Sequence, residues 1–204
     1  MPRVSVPIPL GFYQSPSPTM SIQRCINWIP TVIEKPALNQ TALFQPSGVI
    51  EAVQTGLGAC RGGWEAKGVP YFVCGNSLIS ISSSGAVTNY GSISGTARVS
   101  MASNNPLELS ASLAIVVPGG DAYVLEIDSG TLTKIDDPDF RPSDSVVFYR
   151  GFFVFTSSDG KVLFVSNLNQ PLVFDAADFG TAEGNPDRII TQVLTNDELS
   201  VIGN

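Results

Sequence analysis

Three times along this chain an apolar strand, a tight glycine-containing turn and a second apolar strand follow one another. Tyr71–Cys74 turns at Gly75–Asn76 into Leu78–Ile81, and Leu113–Val117 turns at Gly119–Gly120 into Tyr123–Ile127. Phe152–Thr156 turns at Ser158–Asp159–Gly160 into Val162–Val165. With Gly75, Gly120 and Gly160 as markers the spacings are 45 and 40 residues, the repeat length of a four-stranded propeller blade. One such hairpin cannot bury its own apolar face, so the repetition demands stacking of like units.

The outer strands of each unit follow from the same pattern. Arg61–Ala66, Ala97–Ser103, Asp144–Arg150 and Arg188–Leu194 precede the hairpins, and Glu198–Ile202 opens a fourth inner hairpin. Closing strands come after the turns at Ser83–Gly85 and Ser129–Gly130, as Ala86–Tyr90 and Leu132–Ile135. Short, regularly spaced strands rich in Val, Ile, Phe, Tyr and Thr predict an all-β chain of stacked four-stranded antiparallel blades. Helical periodicity is confined to a short stretch around Asp175–Phe179. A generic β-sandwich is the competing architecture.

Domain organisation follows. Residues 1–50 read as an extended N-terminal arm and lead-in strand, and residues 51–204 as three blades plus part of a fourth. Met1–Leu10 carries one Arg and is broken by Pro2, Pro7 and Pro9, so no signal peptide is expected there. Trp28, Ile29 and Ile33 are large apolar groups beside Pro30 and need a surface to cover them, so they are candidate interaction residues. Asn167–Pro186 reads as an insertion in the third unit, carrying the further candidates Phe174 and Phe179. The last strand lacks a hairpin partner, so the chain is expected to be a piece of a longer polypeptide or to have its ring completed by another chain.

Composition narrows the function classes. Hydrophobic residues make up 43% and charged residues 14% of the chain, with a mean hydropathy of +0.19. No apolar run approaches the roughly 18 residues of a membrane-spanning helix, so no membrane insertion is expected and the apolar excess points to protein contacts. There are 11 basic against 18 acidic residues, a net charge of −7. Lys and Arg occur singly, with no cluster to displace counterions from phosphates, which argues against sequence-specific or other direct nucleic-acid binding.

Catalytic chemistry finds little material. Histidine is absent, which removes Ser-His-Asp and Cys-His arrangements and most zinc hydrolase sites. Gly56–Gly63 imitates a nucleotide loop, but its third glycine falls one position late and no helix follows. Asp136, Asp137 and Asp139 around Pro138, with Asp175, Asp178, Glu183 and Asp187, offer carboxylates for glycosidase work at a separation of about 5–9 Å. Asp-Asp-Pro-Asp is also the composition of a solvated turn, and it lacks calcium-loop spacing. No enzyme activity, cofactor or metal is expected. The three cysteines Cys25, Cys60 and Cys74, odd in number and without CxxC spacing, read as small buried hydrophobes in a reducing compartment. Asn39-Gln40-Thr41 matches a glycosylation acceptor, which carries meaning only in a secreted chain.

Several segments match a known family. Cys25-Ile26-Asn27-Trp28-Ile29-Pro30, Thr41–Gly48, Pro70–Leu78, Gly95–Ala102 and Tyr149-Arg150-Gly151 resemble short-tailed bacteriophage tail hub proteins, in particular the packaged-DNA stabilisation proteins or tail accessory factors. The resemblance runs from about Arg24 to Asn204, and its motifs are structural. It implies a propeller-type nozzle, a late virion protein of the tail assembled in the host cytoplasm, which extends and closes the portal and adaptor channel and later forms part of the ejection conduit. Implied partners are copies of itself in a ring, the adaptor or portal-side protein, and tail spike, fibre or needle proteins. Members of that family are longer than this chain. Rival readings are a carbohydrate-binding or carbohydrate-active propeller using the acidic loops around Asp136 or Asp187 and an aromatic platform such as Trp64, which the sequence places away from those loops, and a propeller that recognises host peptides.

Overall fold

The computed structural model describes residues 28–32, 41–48, 50–104, 111–181, 188–195 and 198–204. The chain divides into two compact units, residues 1–52 and 53–204. In the first, β1 (Ile29–Val32) pairs antiparallel with β2 (Thr41–Phe44), Ile29 opposite Phe44. Pro30 stops a helix but not a strand at an edge, so the segment expected to lie extended forms half of a hairpin.

The second unit is all β. Its first sheet is β3 (Cys60–Ala66), β4 (Val69–Cys74), β5 (Ser77–Ile81) and β6 (Val87–Ser92), in chain order. A second sheet follows in the same order with β7 (Ser100–Ser103), β8 (Ser112–Val116), β9 (Ala122–Glu126) and β10 (Thr131–Lys134). The third comprises β11 (Ser143–Tyr149), β12 (Phe152–Ser157), β13 (Val162–Asn167) and β14 (Gln170–Thr181). Finally β15 (Ile189–Thr195) pairs with β16 (Glu198–Gly203). Successive strands pair antiparallel, and the inner hairpin turns fall at Gly75, Gly119–Gly120 and Asp159–Gly160, where the sequence repeat places them. Successive sheets meet through their first strands: β3 packs against β7, β7 against β11, and β11 against β15.

Period-two alternation explains the stacking. Every residue of β8 is buried, because its sheet is covered on both faces. Leu113, Ile115 and Leu125 join a core with Tyr71, Val73 and Leu78 of the first sheet. The alternate residues Ala114, Val116 and Ala122 join a core with Phe153, Phe155 and Phe164 of the third. Small alanines on one sheet accept large rings from the next, so the sheets interdigitate. Phe140, Phe155, Phe164 and Phe174 form edge-to-face and stacked pairs at centroid separations of 5.0–6.0 Å. Fully burying a side chain of this kind contributes about 1.5–3 kcal/mol, with up to ~1.5 kcal/mol more per ring pair.

Gly75 is the turn residue that no other could replace cheaply. Its φ is 55°, and a Cβ there would stand 2.1 Å from the Leu57 carbonyl oxygen. Left-handed backbone and close approach both require glycine.

Three expectations need correction. The stretch around Asp175–Phe179 is strand, not helix: the Asp175 carboxylate accepts the Ala177 amide at 2.9 Å and bends the strand locally. Asn167–Pro186 is not an insertion, since Gln170–Thr181 is the fourth strand of the third sheet, which bulges where Ser166 faces Phe174 and Phe164 faces Phe179. Residues 182–187, with Glu183 and Asp187, lie outside the described residues. The third correction concerns cysteine. Cys60 and Cys74 are disulfide-bonded, because the β3–β4 ladder sets them opposite one another.

Candidate functional site

For a chain built of stacked sheets the functional surfaces are the ends, the axial strands and the uncovered flank. At the end carrying the inner hairpin turns, Asp144 gathers three sheets. Its Oδ1 accepts the Gly119 amide at 3.0 Å and the Ser158 hydroxyl at 2.7 Å, and Oδ2 lies 3.6 Å from the Arg188 guanidinium. Arg188 also donates to the Ser158 carbonyl, and the Ile189 amide to the Gly160 carbonyl at 2.8 Å. The third sheet's first strand and β15 are thereby tied to the preceding inner turns.

Between the first two sheets the tie is a buried arginine. The Arg61 guanidinium donates to Ala97 O at 2.8 Å, Ser94 O at 2.9 Å, Gly75 O at 3.2 Å and Ile93 O at 3.4 Å. Four carbonyls satisfy the planar fork, which makes the burial of this cation tolerable.

The first strands flank a cleft of about 490 Å³, lined by Trp64, Met101, Val146, Phe148 and Leu194 among others. Trp64 Nε1 donates to Ser103 Oγ at 2.9 Å, bridging β3 to β7. A second cleft, about 570 Å³, opens on the outer face of the third sheet between Tyr149, Phe152, Val165, Phe179 and Leu199. On the last hairpin Ile190, Val193, Val201 and Ile202 are exposed, Val193 at the rim of the first cleft.

Charge is used locally. Lys67 Nζ lies 2.6 Å from Asp128 and Lys134 Nζ 2.8 Å from Asp121. Hydrogen bonds from Lys134 and then Ser94 hold the Asp121 carboxyl below its usual range. The bond from Lys67 does the same for Asp128, and the Ser157 hydroxyl followed by the Lys161 amide for Asp159. Burial, then its neighbour Tyr90, pushes the Tyr71 phenol up to about 12. Arg141 lies 5.0 Å over the Phe179 ring and Arg150 5.0 Å over Tyr149. Arg61, Lys67, Lys134, Arg141, Arg150 and Arg188 are thus spent on carbonyls, carboxylates and rings.

The residues singled out by sequence fall in different places. Trp28 and Ile29 are half-exposed at the start of β1, and Ile33 lies outside the described residues. Phe174 is buried in the third-sheet core, where its ring packs on Phe140. Phe179 is half-exposed on the flank cleft. Asp137 is a turn residue, accepting the Asp139 amide at 2.8 Å and the Phe174 amide at 3.2 Å. No group of three or more potential metal ligands occurs among the described residues. Sequence reasoning missed Asp144 and Arg61. Both act through contacts far along the chain, and only the blade register could have pointed to them.

A phage-stabilisation family model described as bacteriophage P22 Gp10, beta-propeller, matches residues 4–204. The chain belongs to that family. It is a phage structural protein of the DNA-stabilisation class, a virion-associated group. The family's propeller description agrees with the succession of four-stranded sheets. No curated protein matches the chain.

Proposed function

We propose that this member of the phage-stabilisation family is a tail hub subunit that extends and closes the portal and adaptor channel, holds packaged DNA in place and forms part of the ejection conduit. The observation that carries the reading is the pairing of stacked, mutually tied sheets with basic side chains such as Arg61, Lys67, Lys134 and Arg188 engaged within the chain. Such a body suits a channel wall that retains DNA by mechanical closure rather than by gripping phosphates. Its net charge of −7 lets a duplex pass without sticking.

Copies of the chain would form a ring, with the adaptor or portal-side protein above and tail spike, fibre or needle proteins below, the complex being assembled in the host cytoplasm. A stable neighbour contact needs about 1,600 Å² of buried surface, and ring symmetry multiplies moderate contacts. Trp28, Ile29, Ile33 and Phe179 are offered as contact residues of that assembly. The expectation that the chain is part of a longer polypeptide enters here too: a longer product would supply the further blades.

The test is electron microscopy of the purified full-length gene product, alone and mixed with packaged heads lacking tails. Rings, density at the portal vertex and nuclease-protected DNA are expected. A product that stays monomeric while the heads go on losing DNA sinks the reading.

A further inference from the structure

The disulfide between Cys60 and Cys74 joins the first residue of β3 to the last of β4. Its two sulfurs have unlike surroundings. Cys60 is exposed and lines an open cleft of about 560 Å³ with Arg61, Phe72, Thr96 and Arg98, whereas Cys74 is 1% exposed. Between them lies a strand irregularity. Cys60 faces Cys74 but Gly62 faces Val73, so Arg61 is the extra residue of a bulge. That bulge aims the Arg61 guanidinium at Gly75, Ile93, Ser94 and Ala97, while the Arg61 carbonyl accepts the Val99 amide at 3.1 Å. Residues 93–99 are the segment that leads from the first sheet to the second.

We propose that Cys60–Cys74 is a reversible thiol–disulfide exchange site, opened at Cys60 by a small anionic thiol of the glutathione class, and that its state sets the order of the segment joining the first two sheets. The attacking thiolate reaches Cys60 Sγ from the cleft, where the exposed Arg98 side chain favours an anion. The new bond is a mixed disulfide on Cys60, and the broken bond releases the Cys74 thiolate, which takes up a proton. A second thiol attacks the sulfur of the mixed disulfide that belongs to the small molecule and frees Cys60. The net change is one protein disulfide and two thiols to two protein thiols and one small disulfide, two electrons passing to the protein. The oxidised small disulfide runs the same steps in reverse. Opening the bond frees the end of β3 that fixes the bulge, so the arginine clamp on residues 93–97 loosens.

The test uses the full chain equilibrated with reduced or oxidised glutathione, read by differential alkylation with peptide mapping and by amide hydrogen exchange. Oxidised protein should protect both Cys60 and Cys74 from alkylation. Limited reduction should leave glutathione on Cys60 and not on Cys74. Full reduction should speed exchange at Ile93 and Val99 roughly tenfold or more, with Leu125 and Phe155 unchanged. A Cys60→Ser, Cys74→Ala double variant should exchange like the reduced protein and ignore glutathione; should it fail to fold, the wild-type comparison still decides. The proposal is overturned if both cysteines stay open to alkylation in oxidised glutathione, if the mixed disulfide forms first on Cys74, or if exchange at Val99 is the same in both states.

Discussion

Strand β12 has two faces, and they meet different fates. Phe153 and Phe155 point into the seam with the second sheet and are fully buried there, against Ala114, Val116 and Ala122. Phe152, from the alternate set, borders the cleft on the other side with Tyr149, Val165 and Phe179. Val154 and Thr156 of that alternate set are buried as well, on the side where β15 packs, so what differs between the faces is the covering element. The sealed seams are covered by whole four-stranded sheets, the open flank by the β15–β16 hairpin alone. That hairpin contacts β11 and β12 through β15 and leaves Ile190, Val193, Val201 and Ile202 exposed. Stability is therefore concentrated in the seams, and the last hairpin keeps apolar side chains exposed among the described residues.

The sharpest way to break this contrast is to cut one ring from each side. Phe155→Ala removes a ring from a fully buried cluster and should cost about 3–5 kcal/mol. Chemical denaturation should show it as a fall in midpoint at unchanged slope. A loss below about 1 kcal/mol would mean that the seam relaxes and is not packed as described.

The second largest effect should come from the tie between the first two sheets. Arg61→Met keeps the bulk but strips hydrogen bonds from four carbonyls, for a cost of about 3 kcal/mol. Arg61→Lys should recover little, since a lysine cannot reproduce the planar fork. Full rescue by lysine would show that only the charge matters.

A pH titration separates the two regions without a large truncation. Tyr71 sits in the first seam with its phenol raised from 10.0 to about 12. The unfolded chain therefore loses this proton first, and the stabilisation, complete below pH 10, is lost as the pH climbs from about 10 to about 12. Tyr71→Phe should flatten the alkaline limb of the stability curve in that window. Carboxylates behave in the opposite sense. Asp121 and Asp159 are held below their usual value of 3.8, so what they add is present above that pH and fades as acid protonates them. An alkaline limb unchanged by Tyr71→Phe would place the ring outside the sealed seam.

How much of this was legible in the sequence depends on how far each feature reaches along the chain. Alternation and glycine turns are local, so the hairpins at Gly75, Gly119–Gly120 and Asp159–Gly160 could be read directly. The Cys60–Cys74 bond could not be read by counting cysteines. Its signal was their near-symmetric placement about the Lys67–Gly68 turn, blurred by the bulge at Arg61. Phe174 and Phe179 looked alike, yet they stand five residues apart on either side of the β14 bulge, one buried in the core and the other half-exposed on the flank cleft. Asp144 was invisible because its partners Gly119, Ser158 and Arg188 become neighbours only once three sheets are stacked.

The smallest stability effect, and the most telling for function, belongs to Phe179. Its ring is half-exposed, borders the flank cleft and carries the Arg141 guanidinium 5.0 Å above it. Little water-excluded area is lost on truncation, and a cation–π contact at an exposed site contributes only about 0.5–1 kcal/mol. Phe179→Ala should therefore lower stability by about 1 kcal/mol or less, near the scatter of surface substitutions. If the flank is a contact surface of the assembled tail, the same change should weaken subunit association far more, because interface anchors are typically aromatic and lose 2 kcal/mol or more on truncation to alanine. Denaturation and sedimentation equilibrium on the same preparation would separate the two quantities. A Phe179→Ala protein as weakly perturbed in association as in folding would mean that the flank is merely exposed, and the assembly surface would have to be sought elsewhere, with Trp28 and Ile29 the next residues to truncate.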